Sequence, residues 1–483
     1  MNNLSKYFIF DEKAPLLFNS GTFLILFTCF LLLFLLLKKQ TQLRKIWTIA
    51  FSIFFYYKCS NFYFWILIVS TVIDYSLGFL IYNASHPLKK KFYLCLSLLS
   101  NLGLLAYFKY TNFFIDIVND LGAEFNNIAI FLPIGISFYT FQTLSYSIDI
   151  YRGNLKPEKN FWDFAFFVSF FPQLVAGPIV RAIDFLPQLK NKLGLTKQDL
   201  GKAVFLIGNG LFKKAVISDY ISSNFVDRIF ENPGLYNGLE NLLGVYGYSL
   251  QIYCDFSGYS DMAIGIALLL GFKLPDNFNY PYKSASITEF WRKWHISLSS
   301  WLKDYLYISL GGNRKGTIRT YINLTITMLL GGLWHGANWK FVLWGAMHGV
   351  MLVIEKIIHR FWNVKKSVFS KFIGVFITFH FVSFAWIFFR AASFDSAILV
   401  INQIMNNFDL FADYKTLEQY KNLLFMILLG FVLHFNFESI IKKYQNILSD
   451  SPLLIKAFYL AFISWLTIQI SNADVIPFIY FQF

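Results

Sequence analysis

Leu330-Gly331-Gly332-Leu333-Trp334-His335-Gly336-Ala337-Asn338-Trp339 joins two apolar segments, Thr320–Leu330 and Phe341–Ile358. Arg314, Lys315 and Arg319 precede the pair, and Lys356 and Arg360 follow it. Lys and Arg collect on the cytoplasmic side of a membrane, so both ends read as cytoplasmic and the turn as carried into the bilayer. A helical first arm, rising 1.5 Å per residue, would lift His335 roughly 20–25 Å. The glycines permit a tight turn and close approach of a substrate. An imidazole is thus set among tryptophans at membrane depth, where ionisable groups are costly and usually functional.

The rest of the chain suits the same solvent. Of its 483 residues, 56% are hydrophobic and 14% charged, against about 25% charged in ordinary soluble domains. A water-soluble core of this size cannot enclose that much apolar surface, so lipid must surround most of it. Clear spans are Leu16–Leu37, Phe62–Tyr82, Phe92–Phe108, Leu242–Leu270, Phe341–Ile358, Phe372–Phe389, Leu423–Phe435 and Leu453–Ile470. Ile46–Tyr57, Phe131–Ile150, Phe161–Val180, Ala203–Ile217 and Thr320–Leu330 are less regular. The expected fold is all-α and polytopic, with roughly ten to twelve spanning helices around a central chamber and some tilted or re-entrant pieces. No repeat or long linker divides the chain, so 1–483 reads as one integral-membrane domain. Ile183–Gln198, polar with spaced Leu and Phe, reads as an amphipathic surface helix.

The net charge of +14 follows from cytoplasmic loops facing anionic lipid, and no basic stretch has the character of a nucleic-acid surface. Lys38, Lys39, Arg44 and Lys45, then Lys89–Lys91, mark cytoplasmic loops and place the N-terminus outside. Arg360, Lys365, Lys366 and Lys371, and then Lys442 and Lys443, mark two more. The loop carrying Asp395, Asp409, Asp413 and Glu418 falls between them and suits the outside. The last helix then runs outward, with Tyr480–Phe483 as an aromatic anchor at the outer interface. The cysteines, Cys29, Cys59, Cys95 and Cys254, lack metal-ligand spacing and read as buried small hydrophobes; no metal site is expected.

A second element runs from Ile287-Thr288-Glu289-Phe290-Trp291-Arg292-Lys293-Trp294-His295 through Trp301, Lys303 and Asp304. At helical spacing Trp291, Trp294, His295, Leu298 and Leu302 share one face, and Glu289 and Arg292 can pair. An interfacial helix with an aromatic and basic belt accounts for this pattern as well as a site does. Asp255 and Asp261, in an apolar segment, should sit in a network of Tyr, Ser or Trp groups. His348 reads as a packed, hydrogen-bonded histidine.

Three stretches together resemble the membrane-bound O-acyltransferase family, in particular its bacterial alginate O-acetylation branch. They are Gln251-Ile252-Tyr253-Cys254-Asp255-Phe256-Ser257-Gly258-Tyr259-Ser260-Asp261, Phe290–His295 and Gly332–Gly336. Leu132–Gln142 and Phe171–Ile179 extend the likeness over nearly the whole chain. The resemblance implies that His335 is the catalytic histidine and His295 the second family position. Trp334, Trp291, Trp294, Asn338 and Asp304 are the nearby donor or chamber candidates. It implies a funnel reaching the histidine, acetyl-CoA or another acyl-CoA as cytoplasmic donor with no bound cofactor, and an envelope or extracellular polysaccharide as acceptor. A periplasmic serine-hydrolase-like partner of the SGNH type would complete transfer from the bacterial inner membrane. The ending Pro477-Phe478-Ile479-Tyr480-Phe481-Gln482-Phe483 also resembles an aromatic motif whose tyrosine carries the acyl group. A phenol, with a pKa of about 10, leaves far more readily than an alkyl alcohol, so Tyr480 suits a relay. Arg181, Lys213, Lys214, Arg314 and Lys315 are candidates for the donor's phosphates, which positive-inside bias explains equally well. A transporter or flippase for a glycan or acyl carrier is the alternative; it would commonly show an inverted repeat.

Overall fold

The computed structural model describes residues 5–12, 14–191, 194–362, 367–408, 418–436, 438–470 and 477–479. Lys365, Lys366, Asp409, Asp413 and Tyr480–Phe483, singled out above, lie outside these. The described residues form two compact units, 1–196 with 266–275 and 197–265 with 276–483. Helices, turns and loops make up both, with no strand among the described residues, as the all-α expectation required.

The first unit holds α1 (Gly21–Leu36), α2 (Thr41–Ser60), α3 (Phe64–Asn83), α4 (Pro87–Leu105), α5 (Ile136–Arg152) and α6 (Phe161–Ser169). Ser20 caps α1 by accepting from the Phe23 amide at 3.1 Å, which satisfies one of the orphan donors of a first turn. Phe23, Phe27 and Phe30 of α1 and Phe51 and Phe55 of α2 converge on the ring of Phe171. A polar knot sits among the other helices. Asp74 on α3 is fully buried and accepts from Ser97 Oγ at 2.8 Å and from Asn101 Nδ2 at 2.9 Å, both on α4. Thr143 on α5 donates to Asn101 Oδ1 at 2.9 Å. The expected amphipathic helix over Ile183–Gln198 is instead one turn, Ala182–Phe185, followed by a tighter 3-10 segment, Leu186–Lys190. Pro187 cannot donate an amide to a continuing α-helix. Phe185, Leu186 and Leu189 are buried rather than laid on a surface.

The second unit holds α7 (Lys197–Leu211), α8 (Gly238–Leu269), α9 (Ile287–Lys293), α10 (Ile296–Trp301), α11 (Thr317–His335) and α12 (Trp339–Phe361). It continues with α13 (Val368–Arg390), α14 (Phe394–Asn406), α15 (Lys421–Asn436), α16 (Glu438–Asp450) and α17 (Leu453–Ile470). The quoted hairpin is α11 and α12. A Cβ on Gly332 would lie 2.2 Å from the Phe341 carbonyl oxygen, and one on Gly345 would lie 2.3 Å from that of Met328. The two backbones therefore touch, the small-residue packing that membrane helices use for close approach. Gly336 is filled likewise, its would-be Cβ 2.1 Å from the Phe341 ring. Gly332 and Gly336 bring chain to chain, not substrate to chain.

Among the described residues, six helical stretches are long and apolar enough to cross a membrane, or seven if α15 and α16, bent by 82°, form one broken span. The second stretch, Thr41–Asn83, contains both α2 and α3. The chain is a multi-pass membrane protein, with fewer self-evident spans than the ten to twelve expected. The difference has a physical cause. Helices such as α8 carry Tyr253, Asp255, Ser257, Tyr259 and Ser260, all buried, and a helix shielded from lipid by its neighbours need not be uniformly apolar.

Candidate functional site

His335 is the last residue of α11, and its position follows from the hairpin. Gly336 is extended, at φ −166°, and ends the helix. Asn338 then caps α12 by accepting from the Lys340 amide at 3.0 Å. The imidazole is 2% exposed. Its ring lies 5.1 Å from those of Trp334 and Trp344 and 5.3 Å from that of Phe389. Two helices besides its own thus supply the cage. The unpaired carbonyls at a helix C-terminus favour a cation by about 0.3–1 kcal/mol. A base that accepts a proton at this point is helped by the helix it ends. With the ring 2% exposed, the surrounding aromatic side chains enclose the imidazole.

His295 departs from the expected continuous helix. α9 ends at Lys293, Trp294 is extended, and His295 is left-handed at φ 43°, ψ 56° before α10 begins. That conformation costs a non-glycine residue about 1–2 kcal/mol. Asn277 holds it. The Ile296 amide donates to the Asn277 carbonyl at 2.9 Å. Asn277 Oδ1 accepts from the Ser297 amide at 3.2 Å and Ser297 Oγ at 2.9 Å. It lies 3.1 Å from His295 Nδ1. An amide oxygen only accepts, so Nδ1 carries the proton and Nε2 the lone pair. His295 lies outside the helices that qualify as spans, and burial pushes its imidazole down to about 3, which keeps it uncharged near neutrality. Trp334 packs near both histidines, 6.1 Å from His295 and 5.1 Å from His335 by ring centroids.

The other candidates separate. Trp291 donates from Nε1 to His348 Nδ1 at 3.3 Å and supports that packed histidine. Trp294 is fully buried among Phe290, Phe278 and Trp386. Asn338 is exposed, and its side chain is a helix cap rather than a chamber wall. Asp304 lies on the π-helical turn Leu302–Tyr307, half-buried. Glu289 pairs with Lys293 at 2.8 Å, not with Arg292, because four residues bring the shorter approach here. Tyr480 lies outside the described residues.

The residues just before Tyr480 are described. Phe478 and Ile479 are buried. Phe478 packs 5.3 Å from Phe256 and 5.0 Å from Tyr259, and Phe256 lies 4.6 Å from His295. The Ile479 amide donates to Asp255 Oδ2 at 2.8 Å. The partner that makes Asp255 tolerable is a cation: Lys214 Nζ lies 2.7 Å from both Asp255 and Asp219. Lys214 is 2% exposed and Lys213 lies 2.8 Å from Asp261, so each of these two candidate cations already has a carboxylate partner. Sequence reasoning passed over Asn277, Trp344 and Phe389. Only Asn277 left a signal, a place in the polar Asp276-Asn277-Phe278-Asn279 run ahead of His295.

Residues 53–398 match the family model described as the membrane-bound O-acyltransferase family. The chain is 38% identical over 417 residues to a peptidoglycan O-acetyltransferase of Helicobacter pylori, covering 80% of this chain and 79% of that protein. It is 43% identical over 390 residues to a protein of Azotobacter vinelandii named "Probable alginate O-acetylase AlgI", covering 79% of this chain and 76% of that one. A teichoic acid D-alanyltransferase of Bacillus subtilis is 30% identical over 279 residues, 54% of this chain and 69% of that protein.

Proposed function

The chain belongs to the membrane-bound O-acyltransferase family, and from that premise we propose that it moves an acetyl group from cytoplasmic acetyl-CoA outward for O-acetylation of an envelope polysaccharide. Membership makes it an enzyme and displaces the transporter reading. The relatives' acceptors, peptidoglycan and alginate by name, support a glycan acceptor. The proposed domain is the whole chain, 1–483, in a bacterial inner membrane with both termini outside.

One observation carries the reading: His335 sits enclosed by aromatic rings at the C-terminal end of α11, one tryptophan from a histidine whose tautomer Asn277 fixes. His335 takes the proton of an acceptor hydroxyl as its oxygen attacks the thioester carbonyl. The C–S bond breaks, the oxygen ester forms, and the proton passes on to the departing thiolate of coenzyme A. General-base assistance of this kind contributes about 10²–10⁴-fold. His295 positions the reacting groups from its uncharged ring, and Trp334 packs near both histidines. Tyr480 is the first hydroxyl to be acylated, and the periplasmic SGNH-type partner passes the acetyl group to the glycan. The buried anchor at Ile479 supports this relay, because it tethers the preceding residue against Phe256, whose ring in turn packs on His295.

Radiolabelled acetyl-CoA supplied to the purified protein tests the chemistry. His335→Ala should lower thioester turnover by about 10²-fold or more while the protein remains folded; equal turnover removes His335 from the mechanism. Tyr480→Phe keeps the ring and deletes the hydroxyl. Glycan acetylation in cells should then fall to background, whereas normal levels leave Tyr480 only an anchor.

A further inference from the structure

None of the reacting groups comes from the motif 251–261 on α8, yet its buried side chains converge on the C-terminal segment. Asp255 is 2% exposed, as is Lys214 on the π-helical turn Phe212–Ser218. Lys214 Nζ lies 2.7 Å from Asp255 Oδ1, which leaves Oδ2 to be satisfied. A carboxylate oxygen buried without a donor is costly. The Ile479 amide supplies that donor at 2.8 Å. Beside it the fully buried Phe478 packs against Phe256 and Tyr259 of the same motif. A ring alone could settle on many apolar surfaces. A carboxylate oxygen accepts an amide only over a narrow range of about 2.7–3.2 Å, so the two contacts together set the register of the segment as well as its location.

Two short routes lead from this contact to the histidines. Phe256, which holds Phe478, packs 4.6 Å from His295. Pro477 and Ile479 also line a polar cavity of about 20 Å³ together with Asp227 and Arg390. Arg390 pairs with Asp227 at 2.6 Å and is the last residue of α13. The residue before it, Phe389, packs 5.3 Å from His335. The segment is therefore docked one side chain away from the surroundings of each histidine.

We propose that Asp255 is a positioning residue for acyl transfer. Its carboxylate, paired with Lys214, grips the Ile479 amide and so sets Tyr480, the next residue, in register with the histidine pair. This role rests on the Tyr480 relay. The grip is on the backbone, so it selects the place of residue 479 in the chain rather than its side chain. Adjacent Cα atoms lie about 3.8 Å apart. A slip of one residue would displace the phenol by far more than the roughly 1 Å that costs about 10²-fold in rate.

Full-length variants that leave both histidines in place test this. Ile479→Pro removes the amide proton, Ile479→Val keeps it, and Asp255→Asn weakens the acceptor by removing its charge. The rate of Tyr480 acetylation by acetyl-CoA is followed by mass spectrometry over a single turnover. It should fall about 10- to 100-fold in Ile479→Pro, with the half-saturating acetyl-CoA concentration unchanged, and Ile479→Val should restore it. Asp255→Asn combined with Ile479→Pro should be no slower than Ile479→Pro alone, because both changes break one bond. Effects that multiply, or a full rate in Ile479→Pro, would overturn the assignment. Hydrogen exchange at the Ile479 amide separates docking from relay. It should be about tenfold faster or more in Asp255→Asn than in the wild type, and no change would overturn the docking itself. If Tyr480→Phe keeps normal glycan acetylation while that exchange still responds to Asp255, the relay has failed and the positioning role with it, though the segment docks as described. If Asp255→Asn does not fold, the two Ile479 variants decide.

Discussion

His335 and His295 are both buried imidazoles, but they are held in place by opposite means. His335 ends a regular helix, and its place is set by the glycine contacts between α11 and α12 a turn away. His295 occupies a left-handed backbone position and is set by Asn277, 18 residues earlier in the chain. The first histidine is fixed by local sequence, the second by a distant partner that must offset about 1–2 kcal/mol of backbone strain. The lesson is that one site can combine a histidine presented by a rigid hairpin with another whose geometry depends on a single amide side chain.

The largest effect that separates the two should come from the hairpin. Gly345→Val drives a branched side chain into the Met328 carbonyl, where even a Cβ would stand at 2.3 Å. The expected outcome is loss of folded protein, by about 3 kcal/mol or more of destabilisation, read as failure to recover monodisperse material. Wild-type recovery would mean that the hairpin does not fix His335.

Asn277→Ala probes the other arrangement. It removes the side-chain contacts to Ser297 and His295, which at about 0.5–1.5 kcal/mol each are worth roughly 2 kcal/mol together. The protein should still fold, with a lower melting temperature. Thioester turnover should fall about 10- to 100-fold through kcat rather than KM, since positioning rather than binding is lost. A melting change with full kcat would leave Asn277 and His295 purely structural.

The smallest effect belongs to Asn338. Its exposed side chain caps α12 at the Lys340 amide, so Asn338→Ala should cost about 1 kcal/mol in a denaturation midpoint and leave kcat close to wild type. A large loss of activity would return Asn338 to the catalytic chamber.

Much of this was legible in the sequence where the signal is local. Apolar stretches gave helices near their expected bounds: Phe372–Phe389 lies within Val368–Arg390, and Leu453–Ile470 is matched end to end. The Gly/Trp turn marked His335, and the long motifs marked the family. Other readings failed where a neighbour decides. The smooth periodicity through 287–304 suggested one helix face, yet the chain breaks at Trp294 and His295. Nothing in the sequence signalled that the residues before the aromatic terminus, Phe478 and Ile479, are buried beside Asp255; Tyr480–Phe483 lie outside the described residues.

By itself the sequence determined a helical membrane enzyme of its family, because hydropathy, turn residues and family motifs are written in consecutive positions. The tertiary structure alone decided which cation neutralises Asp255 and which asparagine orients His295. Each of these depends on groups from separate helices meeting in a low-dielectric interior. There an unpaired charge or donor is costly, but the periodicity of one segment carries no record of its partner.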